Sequence, residues 1–204
     1  MKQLEQAIKI LQKGGVVVYP TDTAYGLAVD ATNAEAVKKL YQLKGRSFHK
    51  PIHVIFPRQS DIRRFVRMSP ISRKLMKKFW PGPLTIVLPL IARDKSWQML
   101  SAGTKSLGVR LPKHDLCIQL TKFLDRPITT TSANVSGQAP AYSMAEVRKQ
   151  FRNVKFQPDY YLDGGKLKKT QPSTVVSLIK DVKILRAGPI TEKQIQNVLL
   201  RAPR

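Results

Sequence analysis

Thirty-six Lys and Arg residues against thirteen Asp and Glu give this 204-residue chain a net charge of +23, with 42% hydrophobic residues and one cysteine, Cys117. A chain of this length buries a sizeable core without cross-links, so a folded domain is expected over disorder; a lone cysteine excludes an internal disulfide and a thiolate zinc site and implies a reducing, cytoplasmic home. No apolar run approaches the roughly 20 residues that cross a bilayer, which implies a soluble protein, and a pI near 10.4 invites nucleic acid, anionic surfaces or polyphosphates.

The amino terminus sets Gln, Glu and Lys among its apolar positions, which predicts an amphipathic helix over Leu4–Lys13 and not a cleaved signal peptide. Short β-rich runs follow at Val16–Tyr19 and Tyr25–Val29, then a helix over Asn33–Leu43 opened by a capping box of Thr32 with Glu35. A strand at His53–Phe56, a helix over Pro70–Phe79 behind Ser69, and strands at Leu84–Leu88 and Leu107–Leu111 lead to a helix over Leu116–Leu124. Next come a strand at Ile128–Thr131, a helix over Met144–Phe151 capped by Ser143 with Glu146, and strands at Tyr160–Leu162, Thr174–Leu178 and Val182–Leu185. A helix over Glu192–Leu200, capped by Thr191 with Gln194, ends the series. Six or seven helices interleave with β runs, some too close for a helical crossover, so the expected fold is α/β with one twisted, mixed sheet. There is no repeat or linker, and the prolines are dispersed; residues 1–204 are expected to form a single domain.

The common phosphate loop, dinucleotide turn, nucleophile elbow and HExxH motifs are absent. The acids form no DxD or ExxE pair, which gives a protein-built metal cage little support, and His49, His53 and His114 lack ligand spacing and read as surface or loop residues. Donor-rich segments at strand and helix ends remain. Pro20–Leu27 reads, on spacing alone, as a hairpin turn. Lys44, Arg46 and Lys50 follow a helix, where cations complement the dipole or converge on phosphate oxygens; on charge spacing alone the dipole reading leads. The hydroxyl run Thr129–Ser132 with Asn134 suits either an edge strand or an uncharged cradle for an anion, and the two readings weigh about equally. Arg110 and Arg186 each close an apolar strand before a Pro or Gly turn, as surface charges or as anion clamps.

In this order and at these separations, PTDTAYGL (20–27), KGRSFHKP (44–51), WPGPLT (80–85), SLGVRLP (106–112), TSANVSG (131–137), PSTVV (172–176) and LRAG (185–188) resemble the threonylcarbamoyl-AMP synthase family, also called the YrdC/Sua5 family, over nearly the whole chain. The resemblance implies a YrdC-like twisted sheet flanked by helices, with a large positive concave cavity. It also implies synthesis of threonylcarbamoyl-AMP and pyrophosphate from L-threonine, bicarbonate and ATP, the first step of t6A37 modification of tRNA. Carried over, Lys44 and Arg46 take the catalytic position. Arg46, Lys50, Ser106, Ser132, Asn134, Arg186 and the backbone near Pro140 hold ATP, and Thr23, Arg110, Thr130 and Ser173 hold threonine. Mg²⁺ is expected on the nucleotide phosphates and no protein metal site is expected.

Many family members place a His further along the strand after the Lys-x-Arg loop; here Pro51-Ile52-His53 sets it nearer the proline, and that role is not carried over. The chain ends at Arg204 without the linker and extra domain of the longer branch, as in the short form whose product passes to a separate threonylcarbamoyl transferase complex. The basic residues of 58–78 and Lys166, Lys168 and Lys169 exceed what a site uses; they read as a solvated face or as a surface that docks tRNA or an acidic partner. A non-catalytic RNA-binding or ribosome-maturation module and the paralogous YciO-type branch are the alternative readings.

Overall fold

The computed structural model describes residues 2–200. Helix α1 (Lys2–Gln12) leads into the hairpin of β1 (Val17–Pro20) and β2 (Tyr25–Ala28), followed by α2 (Ala34–Lys44) and β3 (His53–Ile55). A 3-10 helix (Gln59–Arg64) and α3 (Pro70–Phe79) precede β4 (Leu84–Pro89), α4 (Lys95–Leu100), β5 (Ser106–Arg110), α5 (Asp115–Leu124) and β6 (Ile128–Ser132). The remainder is α6 (Met144–Phe151), β7 (Tyr160–Tyr161), β8 (Thr174–Ser177), β9 (Lys183–Arg186) and α7 (Glu192–Leu200). All the strands and helices expected from the sequence are present. The additions are the 3-10 helix and α4, each of six residues and so too short for a clear period, and neither N-cap, Arg58 or Asp94, makes a capping bond through its side chain. Among the described residues no helix is long and apolar enough to cross a membrane.

The caps correct one detail. Asn33, not Thr32, caps α2, its carbonyl accepting from the Glu35 and Ala36 N–H groups, while the Thr32 hydroxyl donates to Asp30 Oδ1 at 2.6 Å. An amide side chain one residue closer to the first turn reaches its orphan N–H groups, so the hydroxyl turns back to the buried carboxylate. Thr191 and Gln194 exchange both bonds of a capping box on α7. Ser143 caps α6, where Glu146 takes the Tyr142 N–H instead of the cap's own.

The nine strands form one sheet in the order β7-β1-β2-β6-β3-β5-β4-β8-β9. The β7–β1, β3–β5 and β4–β8 pairs are parallel and the rest antiparallel, as the mixture of long and short connections requires. Strand residues alternate between two cores. Val16 and Val18 face the larger one, under α2, α3, α4, α6 and α7; Val17 and Tyr19 face the smaller one, under α1 and α5. The smaller core takes Leu4, Ala7 and Leu11 of α1 and Cys117, Leu120 and Leu124 of α5 against Ala28, Ile55 and Ile128. Two-residue steps from Ala28, Ile55 and Ile128 reach Gly26, His53, Thr130 and Ser132 on that same face, and Thr85 and Arg110 join them, opposite Leu84, Ile86 and Val109 of the larger core. One face is thus apolar throughout, and the other turns polar where α1 and α5 give out.

Replacing the cap, Asn33→Ala, is expected to lower stability by about 1 kcal/mol in chemical denaturation, with the slope of the transition unchanged.

Candidate functional site

The polar stretch of sheet floors a cavity of about 530 Å³. Of the residues expected to bind ligand, Thr23, Arg46, Lys50, Arg110, Thr130, Ser132, Asn134, Pro140, Ser173 and Arg186 all line it. They arrive from the β1–β2 turn, the loop after α2, and strands β5, β6, β8 and β9, which only the sheet order brings together. Four cations and no carboxylate belong to the lining.

The three arginines are held by oxygen acceptors. Gly45, at φ 57°, caps α2 in the left-handed region that glycine adopts freely and turns the chain out of the helix. Arg46 then folds over its own loop, Nε donating to the Lys50 carbonyl at 3.2 Å and Nη2 to that of Pro51 at 2.9 Å. Arg186 donates from Nε to the Ser173 carbonyl at 2.9 Å and from Nη2 to the Ser173 hydroxyl at 3.0 Å; that hydroxyl also shares a hydrogen bond with Thr85. Burial lowers the pKa of both arginines, and repulsion from Arg110 adds to the effect at Arg186. Arg110 is buried and paired with Asp22 at 2.5 Å, while its Nη1 donates to the Thr23 hydroxyl at 3.1 Å. Of the five guanidinium N–H bonds three remain, the buried Nε–H among them without a partner in the fold, and Asp22 fixes the plane of the fork.

Two expected residues lie elsewhere. Lys44 is 1% exposed and does not line the cavity. Its ammonium donates to the Ser132 carbonyl at 2.5 Å, the Asn134 carbonyl at 2.8 Å and Asn134 Oδ1 at 3.1 Å. Three donors meet three acceptors, so Lys44 serves the loop after β6 and not phosphate directly. The Asn134 side chain completes the pin, accepting from the Ser132 hydroxyl at 2.5 Å and donating to the Gln138 carbonyl. Ser106, at the outer end of β5, shares a hydrogen bond with Thr104 and stays outside the lining, because the strand runs away from the cavity there.

Sequence reasoning missed Asp22 and His53. Asp22 meets Arg110 across 88 positions, a contact that no local signal encodes. His53, read as a surface or loop residue, is a strand residue on the cavity floor. The alternation His53, Ile55 beside an apolar Val54 was the available clue. The basic run of 58–78 falls on the 3-10 helix, α3 and the segments before and between them, with Arg63, Arg64, Arg67, Arg73, Lys77 and Lys78 exposed. Among the described residues no group of three or more His, Cys, Asp or Glu is placed to hold a metal.

The sequence profile of the Sua5/YciO/YrdC domain, described as "Telomere recombination", matches residues 9–188. The threonylcarbamoyl-AMP synthase of Bacillus subtilis (strain 168) is 36% identical over 199 residues, covering 97% of this chain and 56% of the relative, so the chain spans about half the length of that protein. The threonylcarbamoyl-AMP synthase of Thiobacillus denitrificans is 37% identical over 179 residues, 87% of this chain and 91% of the relative. The crystal structure of P. abyssi Sua5 complexed with L-threonine superposes with a TM-score of 0.88 at 30% identity, over 96% of this chain and 57% of that one.

Burial, and then the nearby Arg46, lower the Lys44 pKa from 10.5 to about 7. Between those values the unfolded chain holds a proton that the native state has released, so this group makes stability rise with pH from about 7 to 10.5 and contributes no slope below 7. Lys44→Met is expected to abolish that slope in urea titrations run across the same window. A wild-type stability that does not rise there relative to the variant contradicts the assignment.

Proposed function

The chain belongs to the Sua5/YciO/YrdC family, and from that premise we infer that it is an L-threonylcarbamoyladenylate synthase, joining L-threonine, bicarbonate and ATP into threonylcarbamoyl-AMP and pyrophosphate. The observation that carries the reading is the acid-free cavity in which Arg46, Lys50, Arg110 and Arg186 converge with Ser132 and Asn134. Its volume lies within the range of small-molecule sites.

In this reading Arg46, Lys50 and Arg186 face the triphosphate, Ser132 and Asn134 hold the nucleotide, and Arg110 with the Thr23 hydroxyl takes the amino acid's carboxylate. The Arg186–Ser173 contact joins the two subsites, so the ligands lie against each other. The threonine carbamate, formed from the amine and bicarbonate, then attacks the α-phosphorus through oxygen, and the bond to the leaving pyrophosphate breaks. Such a displacement needs alignment and charge neutralisation more than a protein nucleophile. Mg²⁺ fits as the companion of the phosphates, because the lining offers hydroxyls such as those of Thr131 and Ser132 but no carboxylate. The product would go, in the cytoplasm, to a separate threonylcarbamoyl transferase complex for tRNA modification. The exposed cations of α3 and the 3-10 helix supply a face for tRNA.

The test is pyrophosphate release from ATP and Mg²⁺, with and without bicarbonate, comparing L-threonine with L-serine. Release that requires both bicarbonate and threonine is expected; no release, together with salt-sensitive tRNA binding, would place the chain with non-catalytic RNA-binding modules. Arg110→Ala is expected to raise the KM for threonine by roughly tenfold or more, the worth of a charged hydrogen bond, while the KM for ATP moves much less. Equal rises in both would remove Arg110 from the carboxylate.

A further inference from the structure

Residues 45–52, which carry Arg46 and Lys50 to the cavity, belong to no helix or strand, so side chains must fix them in place. Among the described residues the Arg46 side chain bonds only to carbonyls of its own loop, those of Lys50 and Pro51. Its position in the cavity is therefore no firmer than the loop's. One residue beneath the loop supplies the anchor. Tyr41, on the last turn of α2, is 1% exposed and does not line the cavity.

The Tyr41 hydroxyl donates to the carbonyls of Lys50 and Met99, each at 3.0 Å. Arg46 Nε donates to the same Lys50 oxygen at 3.2 Å, so the phenol and the guanidinium take its two lone pairs between them. Met99 lies on α4, and the next residue, Leu100, accepts from the Ile52 N–H at 2.9 Å. The end of α4 thus holds the far side of the loop at two points, directly at Ile52 and through Tyr41 at Lys50. The Phe48 ring, 45% exposed, stacks on Tyr41 with centroids 4.7 Å apart and covers the phenol from the loop side. Burial pushes the phenol pKa up to about 12, against the opposing charge of Arg46, so the hydroxyl remains a donor at neutral pH.

We propose that Tyr41 is a positioning residue for ATP: by tying the Lys50 carbonyl to α4 it fixes the loop that carries the Arg46 guanidinium, and so sets where that cation meets the triphosphate. The proposal rests on the synthase reading, in which Arg46 faces the triphosphate. Its test is a double-mutant cycle of Tyr41→Phe with Arg46→Ala, read by calorimetric titration of ATP with Mg²⁺ and of L-threonine, alongside pyrophosphate release by the wild type. Phenylalanine keeps the ring and its stack on Phe48 and removes only the hydroxyl. Tyr41→Phe is expected to weaken ATP roughly fivefold when Arg46 is present and less than about twofold when it is alanine, with threonine affinity within about twofold throughout. Phe48→Ala, at a half-exposed position, is expected to act in the same Arg46-dependent direction and carries the test if Tyr41→Phe does not fold. A purely structural role would weaken ATP equally in both backgrounds, weaken threonine alike, or change neither ligand; each of these overturns the proposal while the synthase reading stands. An Arg46→Ala variant that binds ATP as the wild type does removes Arg46 from the triphosphate and the proposal with it. A wild type that releases no pyrophosphate with threonine and bicarbonate present overturns the synthase reading, whatever the cycle shows.

Discussion

Side chains alternate between the two faces of a strand, so nine paired strands present two surfaces that must each be covered or hydrated. Here five helices cover one face and two cover part of the other. The uncovered part is where His53, Thr85, Arg110, Thr130 and Ser132 replace aliphatic side chains. The same pleat that drives Val54, Val109 and Ile86 into the larger core therefore aims the polar set into the cavity. Binding residues on rigid strands need little ordering when a ligand arrives, and the cavity floor inherits the stability of the sheet.

Four cations gathered without a lining carboxylate repel one another, and the structure answers with acceptors supplied in advance. Carbonyls of Lys50 and Pro51 hold Arg46, Ser173 holds Arg186, and Asp22 holds Arg110. Beneath them, Lys44 ties the end of α2 to the end of β6. Burial lowers the pKa of Arg46 and of Arg186, and only at Arg186 does repulsion from Arg110 add to it. Donors fixed before the ligand binds are a source of electrostatic stabilisation for charge that develops during reaction. The buried Lys44 and its carbonyl partners make that fixation part of folding, so the Lys-x-Arg and Ser-x-Asn segments act as one unit although 88 positions separate Lys44 from Ser132.

Strand positions were legible because Val, Ile and Thr runs ended by Gly, Pro or Asp carry their own signal, and helices because their apolar stripes and caps are local. Residues 95–100 carry no such signal, because six residues with no side-chain cap bond make too short a pattern. Thr32 was read as a cap because a hydroxyl three positions before Glu35 fits the rule; Asn33 won by being nearer and by the claim of Asp30 on the hydroxyl. The motif strings were enough to gather Arg46, Lys50, Arg110, Ser132, Asn134 and Arg186 as one set. They carry no depth, and so Lys44 stands beside Arg46 as a ligand-facing cation in the sequence, where burial makes it a structural pin.

The amino-acid sequence by itself determined the α/β class, the order of elements, the family and the charge that a site here would present. These follow from local periodicity, turn chemistry and strings of residues read along one dimension. Tertiary structure alone decided that Asp22 fixes Arg110, that Ser173 is committed to Arg186, and that His53 stands over Gly108 inside the cavity. Those contacts depend on which strands lie side by side and on what each burial leaves unpaired. Distance in space, and not position in the chain, sets the electrostatics of the site.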